Sequence, residues 1–314
     1  MPRWARDIGL VVTLHGQHFT GRTFLTYAAA LEALKWVAGR IDPRHILAYL
    51  PGWEGRYYRW YGRYQPDESL GGAAGLAALI DGAHDLGCHV MPMFGANIAS
   101  RDVPGFERWG EPGRQRNPSG LIPVGSVDWD ASRHFDHGFG AVLNTAYAPW
   151  RHHLVEQIAG LCRRFGFDAT FLDISAMYAN DPLGRTTDGI RSLAVELHAR
   201  MPGHLLAGEG WFEGICDVIP LVQTGHRQNV PTYHDVPCPE WFERTNRQFG
   251  HVNLGDAAHH SSGVHEAGYV KAWRLPVRRS IIPTLALVED TIEAAPDRVE
   301  LILEDARQYI QQYL

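Results

Sequence analysis

DATFLDISAMYANDPLGRTTDGIRSLAVELHARMPGHLLAGEG, residues 168–210, holds the pattern on which the rest of the chain is read. Asp168–Ile174 is an apolar run of strand length, and His204–Glu209 is a second one. Between them Thr187–Arg200 reads as a helix, with Thr186 placed to cap it. A strand, a helix and a strand in such close succession form one unit of an α/β fold. Both apolar runs end in a carboxylate, Asp173 and Glu209.

The same alternation extends outward. Upstream, strands are expected at Ile8–Leu14, Ile46–Leu50 and His89–Phe94. Helices at Tyr27–Gly39 and Gly75–Leu86 separate them. The first carries Leu31, Leu34 and Val37 at helical spacing behind a Thr26 cap, and the second ends at Gly87. A loop rich in Gly, Pro, Arg and Asp covers 95–144, longer than most connections without periodic structure and therefore a functional candidate. The helix Trp150–Phe165 then leads back to Asp168. Downstream, a helical turn at Phe212–Cys216 precedes a sixth strand, Asp217–Gln223, which Pro220 interrupts. A helix at Pro239–Gln248, strands at Gly250–Gly255 and Ser280–Val288, and an amphipathic helix at Pro296–Leu314 complete the order. Eight strands with helices between most of them and no break in composition predict a (β/α)8 TIM barrel. It occupies 1–314 as one catalytic unit, with the 95–144 insertion over its active-site face. A doubly wound sheet, the alternative, usually shows a Gly-rich phosphate turn after its first strand. His15-Gly16-Gln17-His18 stands there instead.

Composition narrows the function. The 314 residues are 45% hydrophobic and 20% charged, which excludes disorder and coiled coil. A net charge of −6 argues against nucleic acid or anionic lipid as a partner. Ile8–Leu14 is too short to span a bilayer and lacks the flanks of a signal peptide, so no membrane partner is expected. Cys88, Cys162, Cys216 and Cys238 form no C-x-x-C pair and read as reduced thiols. A cytoplasmic enzyme, or a barrel cut from a larger secreted one, fits these features. The sequence is silent on oligomeric state.

Barrel enzymes carry their chemistry at the C-terminal ends of strands. Alternation puts Ala169, Phe171 and Asp173 on one face, and Leu205, Ala207 and Glu209 on one face of the next strand. Gly208 and Gly210 flank Glu209 and leave room for a ligand. Adjacent strands lie ~4.8 Å apart, so the two carboxyl groups can approach the ~5–5.5 Å that a retaining glycosidase uses. Asp256, after the seventh strand, would hold sugar hydroxyls or make an Asx-turn. The strip from Trp53 to Tyr64 interleaves aromatic and polar residues, as a sugar site does. Trp53, Glu54, Arg56 and Tyr57 are its candidate contacts, with packing over the barrel mouth the alternative for part of the strip. Asp128, Trp129 and Asp130 add two carboxylates and an indole, read as sugar-binding rather than as a calcium site. Tyr178, Trp211 and His259 complete the expected substrate-binding set. The histidines raise a metal-dependent hydrolase as an alternative, but His15-x-x-His18 is not the H-x-H that a first strand would present. No metal or other cofactor is expected.

At these residues the chain resembles the glycoside-hydrolase-like (β/α)8 barrels related to endo-α-N-acetylgalactosaminidases and, more distantly, to the α-amylase and α-galactosidase groups. Three segments carry the resemblance. They are Tyr49-Leu50-Pro51-Gly52-Trp53-Glu54-Gly55-Arg56-Tyr57-Tyr58 with Leu70-Gly71-Gly72, then Phe171-Leu172-Asp173-Ile174-Ser175, and Ala207-Gly208-Glu209-Gly210-Trp211. The resemblance implies a retaining enzyme that cleaves an α-linked sugar by double displacement. Asp173 would be the nucleophile, Glu209 the general acid/base, and Asp256 the third aspartate of the α-amylase group. That group has an arginine two residues before its nucleophile, where this chain has Phe171. A non-catalytic carbohydrate-binding barrel is the rival expectation. As an acid, Glu209 must stay protonated near neutral pH, which an apolar strand and the charge of Asp173 would favour.

Overall fold

The computed structural model describes residues 1–18, 20–56, 58–122, 140–175, 179–210, 213–224, 232–233, 236–237, 249–261, 273–274 and 281–314. Strand β1 (Leu10–Leu14) and helix α1 (Tyr27–Ala38) lead to β2 (Ile46–Leu50), α2 (Gly72–Leu86) and β3 (His89–Gly95). The Thr26 side chain accepts from the Ala29 N–H at 3.2 Å, so α1 starts where its cap predicts. Gly87 ends α2 in the left-handed conformation at φ 97°, which a side chain would resist.

The long segment after β3 has some regular structure. Strands β4 (Ile98–Ser100) and β5 (Gly140–Val142) pair antiparallel, and a single helical turn, α3 (Phe106–Trp109), lies between them. Helix α4 (Ala148–Phe165) returns the chain to β6 (Ala169–Asp173). Helix α5 (Thr186–Arg200) then leads to β7 (Leu205–Glu209). Thr186 does not cap α5. It is the first helical residue, and its hydroxyl instead accepts from the Ala179 N–H at 2.9 Å, tying the incoming loop to the helix.

The sixth barrel strand, β8 (Leu221–Thr224), starts later than the sequence suggests. Pro220 has no N–H to give a ladder, and Val218 and Ile219 bond back to the Ile215 carbonyl to close a turn. Short β9 (Thr232–Tyr233) and β10 (Val236–Pro237) pair with each other, and the expected helix Pro239–Gln248 lies outside the described residues. The seventh strand is β11 (Gly250–Val252). The eighth is divided by Pro283 into β12 (Ile281–Ile282), which pairs with β11, and β13 (Thr284–Leu287), which pairs with β1. The Pro283 carbonyl still accepts from Val11 at 3.0 Å, so the sheet closes through this run. A short turn, α6 (Thr291–Ala294), and the amphipathic α7 (Pro296–Tyr313) end the chain. Val299, Ile302, Leu303 and Ala306 of α7 are buried.

Every pairing in the main sheet is parallel, in the order β12-β11-β8-β7-β6-β3-β2-β1-β13. This is the (β/α)8 barrel expected from the alternation. All strands point the same way, so the loops after them gather at one face, and Asp173 and Glu209 end neighbouring strands there. No helix among the described residues is long and apolar enough to cross a membrane.

Candidate active site

Asp173 is the last residue of β6 and lies opposite Gly95 of β3 in register. Its alternation partner Phe171 packs against the Tyr49 ring, 4.7 Å between centroids, so an aromatic layer underlies the carboxyl group. His251 continues that layer, its ring 6.3 Å from Tyr49 and its Nδ1 3.4 Å from the Thr284 hydroxyl. Burial pushes the His251 imidazole down to about 3, so it stays neutral and adds no charge to the floor.

Asp173 and Glu209 end neighbouring parallel strands, and the Glu209 carboxyl group acts directly on that of Asp173. Asp173 is 4% exposed, and its Oδ2 accepts from the Tyr61 hydroxyl at 3.0 Å. Burial, reinforced by the Glu209 charge, raises its carboxyl well above the usual carboxylate range, and the Tyr61 hydroxyl opposes that rise. The buried Asp173 carboxyl therefore holds its proton more tightly than a free aspartate does. The sequence argument put that proton on Glu209, whereas the burial that raises a carboxyl falls on Asp173, the deeper of the two.

The backbone after Asp173 is strained. Ile174 has φ 55°, a conformation that β-branched residues rarely adopt. Its N–H donates to Glu209 Oε2 at 3.0 Å, and its carbonyl accepts from Asn97 Nδ2 at 2.9 Å. Asn97 in turn accepts from the Thr145 hydroxyl at 3.2 Å. The Ser175 hydroxyl donates to the Glu209 carbonyl at 3.0 Å, and a side chain at Gly208 would collide with that hydroxyl. A turn that costs ~1–3 kcal/mol is thus held from both sides and spends its N–H on a carboxylate, an arrangement typical of functional sites.

Other expected contacts sit elsewhere. Trp53 is 1% exposed, its indole N–H donates to the Met93 carbonyl at 2.9 Å, and Tyr64, Phe94 and Phe167 surround its ring. It therefore packs outside the strands and offers no open face to a sugar. Glu54 is 0% exposed and neither carboxylate oxygen has a hydrogen-bond partner, so it meets no substrate in this conformation. Burial pushes it up to about 8, and the Asp67 charge adds to that rise. Asp256 makes the Asx-type turn. Its oxygens accept from the N–H groups of Ala258, His259 and Ser261 and from the Thr291 hydroxyl, which leaves the buried carboxylate fully engaged. His259 is exposed at the same mouth and bonds Asp290 at 2.9 Å, which lifts its pKa. Arg56 is half-buried in the loop after β2. Tyr57, Asp128, Trp129, Asp130, Tyr178 and Trp211 lie outside the described residues.

Among the described residues one group, His259, Glu289 and Asp290, brings three potential metal ligands within reach of one another. Asp290 is already bonded to His259 and Glu289 is paired with Arg22 at 2.6 Å. At the first strand His15 is buried and its imidazole is pushed down to about 3, first by burial and then by His18.

Tyr61 and Asn97 are absent from the set that the sequence suggested. Tyr61 lies 112 positions from Asp173, and Asn97 lies 77 from Ile174. Nothing local in the sequence marks either contact, although Gly95 and Ile174 are the places where the chain yields to them.

No protein-family model and no curated relative matches the sequence. Solved structures do. The α-N-acetylgalactosaminidase NagBb of Bifidobacterium bifidum, ligand free, superposes with a TM-score of 0.67 over 99% of this chain at 15% identity. The fold is that of the glycoside-hydrolase barrels. An α-amylase of Geobacillus thermoleovorans complexed with acarbose matches at 0.62 over 98% of this chain and 13% identity, covering 79% of its own length. The GH36 α-galactosidase AgaA of Geobacillus stearothermophilus matches at 0.59 and 11%, over 99% of this chain and 43% of its own. This chain spans about half the length of NagBb, 53%.

Proposed function

We propose that the protein is a glycoside hydrolase that cleaves an α-linked sugar by double displacement, with Asp173 as nucleophile and Glu209 as general acid/base. The observation that carries the proposal is the pair of interacting carboxyl groups at the ends of the adjacent strands β6 and β7, above an aromatic, uncharged barrel floor. The preference for an α-linkage is supported by the α-active enzymes among the structures that share the fold.

In the sugar-free protein the Glu209 charge bears on the buried Asp173 carboxyl, so the two groups form an interacting pair. A sugar entering from the strand ends would part it. Glu209, nearer the surface, would carry the proton that Asp173 holds to the glycosidic oxygen, and Asp173 would be left as the carboxylate. Asp173 then attacks the anomeric carbon as the protonated aglycone leaves. A water, deprotonated by Glu209, cleaves the glycosyl ester and restores both groups. Trp53 and Asp256 take no part, because packing and the Asx-turn fully occupy them.

A panel of aryl α-glycosides of galactose, N-acetylgalactosamine and glucose tests the proposal. Glu209→Gln is expected to lose ~10²–10⁴-fold in turnover and Asp173→Asn at least as much, both with the fold intact. Near-normal turnover by both variants would refute the assignment. Saturable sugar binding without turnover by the unaltered protein would favour the carbohydrate-binding barrel.

A further inference from the structure

We infer that Tyr61 is the positioning residue of Asp173, and that residue 95 is glycine so that the Tyr61 ring can cross β3 to reach it. The inference rests on the reading of Asp173 as nucleophile. Tyr61 is 0% exposed and its hydroxyl donates to Asp173, so it acts on the reaction through that carboxyl group.

Three observations support it. The Tyr61 hydroxyl donates to Asp173 Oδ2 at 3.0 Å. Gly95 lies opposite Asp173 in the parallel register, and a methyl group there would overlap Cδ2 and Cε2 of the Tyr61 ring. The Gly95 backbone is not in the left-handed region, so the absence of a Cβ serves the close approach rather than a turn. The ring is also held in place, with Tyr58 and Tyr64 at centroid distances of 5.2 and 5.6 Å and the Tyr61 carbonyl accepting from Ser100 at 2.9 Å.

A hydroxyl on one oxygen fixes the plane of the nucleophile. It also favours the ionised carboxylate over the glycosyl ester and over the acid, because hydrogen bonds to charged acceptors are the stronger ones. When the sugar parts Asp173 from Glu209, the Tyr61 hydroxyl stays as a side-chain donor to it, beside the Ile174 N–H. Glu209 on β7, Tyr49 on β2, and Tyr61 and Tyr64 in the following loop are the titratable groups that face Asp173 among the described residues. Burial raises the Tyr49 and Tyr64 hydroxyls well above their usual range, so they stay neutral while the pair titrates.

The experiment compares Tyr61→Phe, Gly95→Ala and, as a control, Tyr64→Phe. Tyr64 is an equally buried neighbour, but its hydroxyl serves the Gly95 backbone, accepting its N–H at 2.7 Å. Carbon-13 NMR of the aspartate carboxyl groups in the sugar-free protein follows Asp173 directly. Its midpoint is expected to rise by about one pH unit in Tyr61→Phe and Gly95→Ala, the worth of one hydrogen bond to a charged group, and to stay in place in Tyr64→Phe. On a hydrolysed glycoside, the first two variants are expected to lose roughly tenfold to a hundredfold in kcat with KM nearly unchanged. The acidic limb of the pH–rate profile should move up with the NMR midpoint. An unmoved midpoint in Tyr61→Phe, or an equal shift in Tyr64→Phe, would overturn the role of Tyr61 whether or not the protein turns over. A shifted midpoint in a protein that hydrolyses no glycoside would leave the hold on Asp173 standing and overturn the hydrolase reading instead.

Discussion

Glu54 ties stability to pH. Its carboxyl group is buried without a hydrogen-bond partner and is pushed up to about 8 from an ordinary 4.5. The native state therefore holds a proton that the unfolded chain releases from pH 4.5 upward. Stability must fall as pH rises from about 4.5 to about 8 and then level off, by at most about 5 kcal/mol from this group. Asp173 contributes with the same sign. Glu54→Gln removes the Glu54 share alone, so chemical denaturation from pH 4 to 9 should show the two proteins diverging through that window, the variant the more stable at alkaline pH. Parallel curves would show that Glu54 ionises in the folded protein at no cost. The residue type was legible in the sequence; its direction was not. Trp53 and Glu54 stand in a strip whose composition suits a sugar, yet orientation decides between a platform and a packed core, and one sequence does not set it.

At the scale of elements, the legible parts were those fixed by local chemistry. The cap of α1, the glycine end of α2 and the acid-terminated strands β6 and β7 follow from residues within a few positions of each other. The start of β8 and the division of the eighth strand were harder, because a proline inside an apolar run breaks or spares a ladder according to what its neighbours bond to. The turn after Asp173 was not legible at all, since it exists by virtue of Asn97 and Thr145 from the long loop and helix entry. Asn97→Ala removes the donor to the Ile174 carbonyl. The strained turn should relax and release Glu209 Oε2, costing roughly tenfold to a hundredfold in kcat with a smaller change in KM. A fall in melting temperature with kcat unchanged would reduce Asn97 to a structural role.

For the whole molecule, strand–helix alternation was enough to predict the barrel, because parallel strands require crossovers and consecutive units close in one direction. Closure puts the two acidic strand ends side by side and gives the carboxyl pair its meaning. The central claim is that Asp173 becomes bonded to the sugar, and mass spectrometry of the protein incubated with slow 5-fluoro-glycosyl fluorides of the galactose, N-acetylgalactosamine and glucose series measures this. The expected result is one added glycosyl unit, mapped by proteolysis to Asp173 and absent from Asp173→Asn. An adduct on another residue, or hydrolysis of an ordinary glycoside while none of these reagents labels the protein, would contradict it.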